Sequence, residues 1–162
     1  MKRRLILFML LLTLSATMQA QQVYLELRQK AQKNIENPQT TDMLRQFSQF
    51  KLDALDYMAM KMREQMPDSA ASYLDRQAFA LHNFMNLYMQ ALLDNRNQPA
   101  AFQVKIIKLF MDASYSNPLF NDPDKELVLS YYSEGKSLTR FSLDTDWQRA
   151  VLAANSQLKK IK

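Results

Sequence analysis

The chain has a single glycine in 162 residues, and this scarcity limits the folds that it can adopt. Globular proteins contain about 7% glycine. Phosphate-binding loops, nucleophile elbows and most tight β-hairpins need glycine, because it adopts positive φ angles and allows close backbone approach. The sequence therefore predicts an all-α fold and excludes the enzymes and nucleotide-binding proteins that are built around glycine-rich loops.

The segment from Gln77 to Leu93 carries no formal charge when His82 is neutral. At about 100° per residue its apolar side chains cover an arc of roughly 200°, whereas a surface helix needs a stripe of only about 100°. The segment is rather short and too polar to cross a bilayer, which takes about 20 mostly apolar residues. It is therefore predicted to be an inner helix that contacts two or three others.

Residues 1–20 have the composition of a secretory signal peptide, with three basic residues at 2–4 and an apolar stretch over 5–14. We predict cleavage after Ala20, with an uncleaved anchor as the alternative, and one helical domain over 21–162. The absence of cysteine excludes disulfides and a lipid-modified cysteine. These features predict a soluble protein of the periplasm or the extracellular space.

The net charge of +5 is due mostly to the predicted signal peptide. Removing its three basic residues leaves 18 lysines and arginines against 16 acidic residues, or +2. Nucleic-acid-binding domains usually have a marked basic excess. Bulk charge therefore gives no support for nucleic-acid binding.

Five prolines separate the segments with helical periodicity and mark predicted helix boundaries. The segments predict helices over residues 23–36, 41–65, 69–95, 100–115 and 123–133, and a sixth that follows residues 144–146. The second and third are joined by a short turn, so we expect an antiparallel hairpin. The predicted fold is a five- to six-helix bundle built on antiparallel helical hairpins, with helices three and four innermost.

Side chains that cap helix N-termini stand at the predicted helix starts. They are Thr40, Thr41 or Asp42 for helix two, Asp68 or Ser69 for helix three, Asp122 for helix five and Asp144-Thr145-Asp146 for helix six. Asp122, Asp124 and Glu126 also have the spacing of a calcium loop. The glycine and the distal glutamate of such a loop are missing, so we predict no metal site.

Two segments carry a resemblance to known proteins. ALDYMAMKMREQMPDS (Ala54–Ser69) and FNDPDKELVLSYY…FSLDTDW (Phe120–Trp147) resemble segments of small exported all-helical proteins of Bacteroidota, a group with no known function. The resemblance implies export and a helical fold, and it brings no functional residue. Asp68-Ser69-Ala70 also resembles the O-glycosylation signal of exported proteins of that group, which implies Ser69 as the acceptor.

His82 is the only histidine, and the sequence gives it no catalytic partners. Nucleophilic catalysis needs a nucleophile and a carboxylate within reach of the base. The positions one turn away are Ala78, Phe79, Met85 and Asn86. We therefore predict that the protein is not an enzyme and has no cofactor.

Two features of helix two are candidates for binding. Met58, Met62 and Met66 recur every four residues, which predicts deformable core filling, with an apolar groove or a copper(I) site as alternatives. Lys51 falls inside the apolar arc of this helix. Its stem can cover the core while the ammonium group reaches water, or the charge can serve an anionic headgroup or carboxylate in a pocket.

The polar arc of helix three is uncharged and is formed by His82, Asn83, Asn86 and Gln90. It predicts a solvent-facing strip or hydrogen bonds between helices. The alternative is a neutral polar lining that orients a ligand.

The sequence favours a non-catalytic interaction or scaffold module of the cell envelope. Its partner would be another exported or envelope protein, or a second copy of the chain, bound through apolar surface. The alternative is a carrier of an amphipathic or lipid-like ligand between helices two, three and four. The candidate binding residues are Lys51, Met58, Met62, His82, Phe84, Asn86, Tyr88 and Gln90.

Overall fold

The computed structural model describes residues 22–123 and 138–161, and every regular element in these ranges is an α-helix, as predicted. The helices are α1 (Gln22–Glu36), α2 (Asp42–Gln65), α3 (Ala71–Asp94), α4 (Ala100–Tyr115) and α5 (Trp147–Ile161). The predicted signal peptide, and all but the first residue of the helix predicted at 123–133, lie outside the described residues. Within the described ranges, none of the helices combines the length and apolar character of a membrane span.

Two of the predicted helix caps are present. Thr41 Oγ1 accepts a hydrogen bond from the Leu44 N–H at the start of α2. Asp146 Oδ1 accepts one from the Arg149 N–H at the start of α5. These bonds satisfy backbone donors that have no partner inside the helix, and they explain why these two helices begin where the sequence predicts.

The cap predicted for α3 is wrong. Ala70 occupies the N-cap position, and its side chain makes no capping hydrogen bond. The Ser69 N–H instead donates to the Met66 carbonyl, which holds Asp68 and Ser69 in the preceding turn. The helix therefore begins at Ala71, two residues later than predicted.

α3 is the central helix, because it contacts each of the other four described helices. Leu81, Phe84, Met85 and Tyr88 on this helix are completely buried or nearly so. This confirms the prediction that the uncharged segment with a wide apolar arc forms an inner helix.

α4 lies at the periphery, which corrects the prediction that it is innermost together with helix three. It packs against α3 and α5, and Ile106 and Phe110 are fully buried. Its other side is exposed, with Val104 at 61% and Lys105 and Lys108 beside it. Val104 and the two lysines face away from the core, so α4 buries only one side.

Aromatic rings fill the space where α3 meets α4 and α5. The centroid of the Phe84 ring lies 5.2 Å from those of Phe110 and Trp147. The Tyr88 ring lies 4.9 Å from Phe110 and 5.1 Å from Phe141, which comes from the irregular segment before α5. Such ring pairs contribute about 0.5–1.5 kcal/mol each beyond the burial of their surface. The centre of the domain is therefore a packed aromatic cluster.

Two buried carboxylates hold the irregular segments on α2. Asp144 is 2% exposed and accepts hydrogen bonds from three backbone N–H groups in the segment 119–122. Asp122 is 3% exposed, accepts a hydrogen bond from the Tyr57 hydroxyl and lies 2.8 Å from the Lys61 ammonium group. We call Tyr57, Lys61, Asp122 and Asp144 the buried-acid network. It joins α2 to irregular segments that are distant from it in the sequence.

Polar contacts fasten α1 to α2 and α3. The Tyr24 N–H donates to Asp75 on α3 at 2.9 Å. Arg28 donates two hydrogen bonds to the Asp56 carboxylate on α2, at 2.7 and 3.0 Å. These contacts hold α1 against α2 and α3, and two pockets lie along the junction of the three helices.

Candidate functional site

A pocket of about 170 Å³ lies between α1, α2 and α3, and we call it the lysine pocket. Three of the residues predicted as candidates, Lys51, His82 and Asn86, line it together. Its polar lining consists of Lys30, Asn34, Ser48, Lys51, His82 and Asn86. Its apolar walls include Leu27, Phe47 and Met89.

Lys51 is half-buried in this pocket and has no anionic partner. Its ammonium group makes no hydrogen bond or ion pair with any residue of 22–123 or 138–161. None of the described residues that line the pocket is acidic, whereas Lys30 is a second cation. Burial, followed by the charge of Lys30, lowers the pKa of Lys51 from 10.5 to about 8. The fold therefore holds a cation where its charged form is disfavoured.

His82 contributes a neutral ring to the lysine pocket. Burial lowers its pKa first, and the charges of Lys51 and Lys30 lower it further. The Asn86 side-chain nitrogen lies 2.9 Å from His82 Nε2. Because an amide nitrogen donates and cannot accept, Nε2 is the acceptor and the neutral ring carries its proton on Nδ1. The positive charge of the pocket thus comes from the two lysines.

Ser48 gives the pocket a buried hydroxyl group. It is almost inaccessible to solvent. Its oxygen accepts a hydrogen bond from the Asn34 side chain at 3.1 Å. A hydroxyl group is both donor and acceptor, so this arrangement leaves the Ser48 proton for an acceptor beside the lysines.

A second and larger pocket, of about 410 Å³, lies where the first turn of α1 meets the end of α2 and the start of α3. We call it the methionine pocket. Its floor includes Met62, Met66 and Leu74, and its polar groups come from Tyr24, Arg63 and Ser69. The Tyr24 hydroxyl donates to Asp56 and the Arg63 Nε donates to the Ala59 carbonyl.

The structure separates the other predicted candidates from these pockets. Met58, Phe84 and Tyr88 are completely buried in the core. The Tyr88 hydroxyl already donates a hydrogen bond to the Leu138 carbonyl. Gln90 is exposed and donates to Asp94. The space that the sequence assigned to a ligand between helices two, three and four therefore contains packed side chains.

Sequence reasoning missed Lys30, Asn34 and Ser48. All three line the pocket because α1 lies over α2 and α3, and the thin apolar stripe of α1 does not indicate which helices it contacts. The one usable signal is on α2, where the small polar Ser48 interrupts the apolar arc one turn before Lys51. Within the described residues, no group of three or more acidic or histidine side chains is arranged to hold a metal ion.

Comparisons of the chain with protein-family models, with curated proteins and with solved structures give no match. The two pockets are therefore interpreted from their own chemistry.

Proposed function

We propose that this chain is an exported, non-catalytic helical bundle that acts as an interaction module of the cell envelope. Its partner is another exported or envelope protein, which inserts an apolar side chain into the methionine pocket. The observation that carries this proposal is a pocket of about 410 Å³ with Met62 and Met66 in its floor, at the edge of the domain.

The chemistry of the methionine pocket suits a protein partner. Its volume falls within the roughly 300–1,000 Å³ of ordinary binding pockets. Methionine side chains are flexible and polarisable, so they adapt to apolar groups of different shapes. Arg63 at the rim is exposed and suits an acidic residue beside the inserted apolar side chain.

The bundle and the export route are supported by separate observations. α2 and α3 contact each other and are joined by residues 66–70 alone, which supports an antiparallel hairpin. The composition of residues 1–20 supports a signal peptide. The mass of the protein purified from the cell envelope tests the cleavage site. A mature chain that begins at Gln21 is expected, and an intact N-terminus would contradict export by cleavage.

The binding proposal is tested by photocrosslinking in cells that produce the protein. A photoreactive amino acid is placed at Met66, which follows the last residue of α2 and lines the pocket, and at Met60, which is exposed on α2 outside the pocket. We expect one discrete protein adduct from position 66 that position 60 does not give, and Met62→Glu should abolish it. Equal adducts from both positions, or none from position 66, would refute the proposal.

The second candidate function is a carrier of an amphipathic ligand. The core around Met58, Phe84 and Tyr88 is filled, so such a ligand would have to occupy a pocket at the side of α1. The lysine pocket, with its apolar walls and two cations, supports this version. Native mass spectrometry of protein from its own periplasm is the test, because a bound small molecule would appear as a defined mass increment.

We also propose Ser69 as an O-glycosylation site. Ser69 does not cap α3, and it is half-buried in the turn before that helix. A glycan at this position would stand at the rim of the methionine pocket. Intact-mass measurement of protein from its native host is expected to show a glycan that Ser69→Ala removes, and an unmodified mass would contradict the assignment.

A further inference from the structure

The lysine pocket combines features that the methionine pocket lacks. Lys51 and Lys30 are its two charged groups, and none of the described residues in its lining is acidic. Elsewhere among the described residues, Arg28, Lys61 and Lys108 each lie within 2.8 Å of a carboxylate oxygen. The two lysines of the pocket repel each other, and an anion between them would replace that repulsion by attraction.

The neutral groups of the pocket also suit an anion. The Ser48 hydroxyl accepts from Asn34 and keeps its own proton for a further acceptor. His82 stays neutral, because burial and the two lysines lower its pKa, so it does not add a third charge. The positive charge of the pocket therefore comes from the two lysines alone, and it suits an anionic ligand.

The size and the walls of the pocket limit the rest of the ligand. A volume of 170 Å³ corresponds to about six non-hydrogen atoms, if each takes roughly the 30 Å³ of a water molecule. Leu27, Phe47 and Met89 form apolar walls, which favour a hydrocarbon segment next to the charged group. A carboxylate with a chain of about four carbons has this size and this polarity.

We infer that the lysine pocket is a binding site for an aliphatic monocarboxylate, whose carboxylate lies between Lys51 and Lys30 and whose hydrocarbon chain packs against Phe47. The carboxylate can belong to a free short-chain acid or to the glutamate side chain of a partner. This inference does not depend on the methionine pocket.

The test uses nuclear magnetic resonance titrations of the full mature protein at constant ionic strength with three probes of similar shape: butyrate, butylammonium and 1-butanol. We expect butyrate to give saturable shifts of the Asn86 amide and His82 ring signals, and the other two probes to give none. If butylammonium bound as tightly as butyrate, the inference would be overturned. The lack of a saturable response to butyrate would overturn it as well.

Variants separate binding at Lys51 from a general effect of surface charge. Lys51→Met should weaken butyrate binding by about 10- to 100-fold, the loss expected for a hydrogen bond to a charged group. Lys105→Met removes an exposed lysine on α4 and should leave binding unchanged. If the Lys51→Met variant bound butyrate as tightly as the wild type, and its spectrum showed a folded protein, the inference would be overturned.

A fourth probe, N-acetyl-glutamate amide, distinguishes the two sources of the carboxylate. Tighter binding than butyrate identifies a protein side chain as the ligand, and weaker binding identifies a free acid. Met66→Glu changes a partly exposed residue of the methionine pocket and should leave both affinities unchanged. A failure of the crosslinking experiment above would therefore not affect this result.

Discussion

Lys61 and Lys51 lie ten residues apart on α2 and have opposite electrostatic surroundings. The Lys61 ammonium lies 2.8 Å from the buried Asp122 carboxylate. Lys51 faces Lys30, and no acidic residue is present in the described lining of its pocket. The first lysine belongs to a network that holds irregular segments on the helix. The second has no such structural partner, which is why we assign it to binding.

The difference shows how two charges with similar sequence surroundings can be told apart. Both lysines follow apolar residues on one amphipathic helix, and neither sits in a recognisable motif. A charge with a buried counter-ion contributes to the fold, because its removal leaves that counter-ion unpaired. A half-buried charge without a counter-ion destabilises the folded state, so its presence points to a functional role and not a structural one.

The largest expected effect is that of Asp122→Ala. This change removes the buried carboxylate that lies 2.8 Å from the Lys61 ammonium group and accepts a hydrogen bond from the Tyr57 hydroxyl. Breaking a buried ion pair in this way should lower the free energy of unfolding by about 3–5 kcal/mol, as measured by urea denaturation.

Asp112→Ala is the matched control for Asp122→Ala. It breaks the exposed pair with Lys108 within α4, which should change the free energy of unfolding by less than about 0.5 kcal/mol. Equal losses for the two variants would show that the Lys61 pair has no special structural role.

Asp144→Asn should have the next largest effect. The Asp144 carboxylate accepts three backbone hydrogen bonds, from the N–H groups of Leu119, Phe120 and Asp122. An asparagine has one oxygen, and its NH₂ group would face at least one of these donors. We expect a loss of about 2–3 kcal/mol in the free energy of unfolding. Hydrogen exchange should accelerate in the segment 119–122, and unchanged exchange there would contradict this role.

The part of the fold that local chemistry determines could be predicted. Prolines and periodicity predicted the five described helices. Thr41 and Asp146, two of the predicted capping residues, do cap their helices, and the uncharged segment identified α3 as central. The cap predicted at Asp68 or Ser69 is wrong because the turn before α3 extends to Ala70, so neither side chain stands at the N-cap position. That choice depends on how the turn packs, which the local sequence does not determine.

The candidate site could be predicted only in part. Lys51, His82 and Asn86 were identified because their polarity differs from that of their helix neighbours. Lys30 was not identified, since its proximity to Lys51 results from the packing of α1 on α2 and α3. Phe84 was assigned to a ligand pocket, but Phe141 and Trp147 arrive from a distant segment and pack against it.

Lys51→Met should make the protein more stable, in contrast to the changes in the buried-acid network. Its folded-state pKa of about 8 lies below its ordinary 10.5, so the charged form is disfavoured in the folded state. Substitution should raise the free energy of unfolding at pH 7 by about 1–2 kcal/mol, once partial exposure and screening are allowed for.

The pH dependence of this gain follows from the direction of the shift. Between pH 8 and 10.5 the unfolded wild type binds more protons at Lys51 than the folded protein does. The contribution of Lys51 to the free energy of unfolding of the wild type therefore rises with pH in this range. The advantage of Lys51→Met should therefore shrink across that window. Urea denaturation of both proteins at pH 7 and pH 10 is the measurement, and an equal gain at both values would contradict a burial penalty on Lys51.

Lys30→Gln should have the smallest effect, because Lys30 is exposed and acts on Lys51 only through its charge. Removing it should raise the pKa of Lys51 towards its ordinary value and stabilise the protein by roughly 0.3 kcal/mol at low salt. At 1 M salt the screening length falls to about 3 Å, and the gain should vanish. The gain from Lys51→Met should largely persist at that salt concentration, since burial is the larger cause of its shift. If salt removed both gains equally, repulsion alone would explain the low pKa of Lys51, and its burial would not matter.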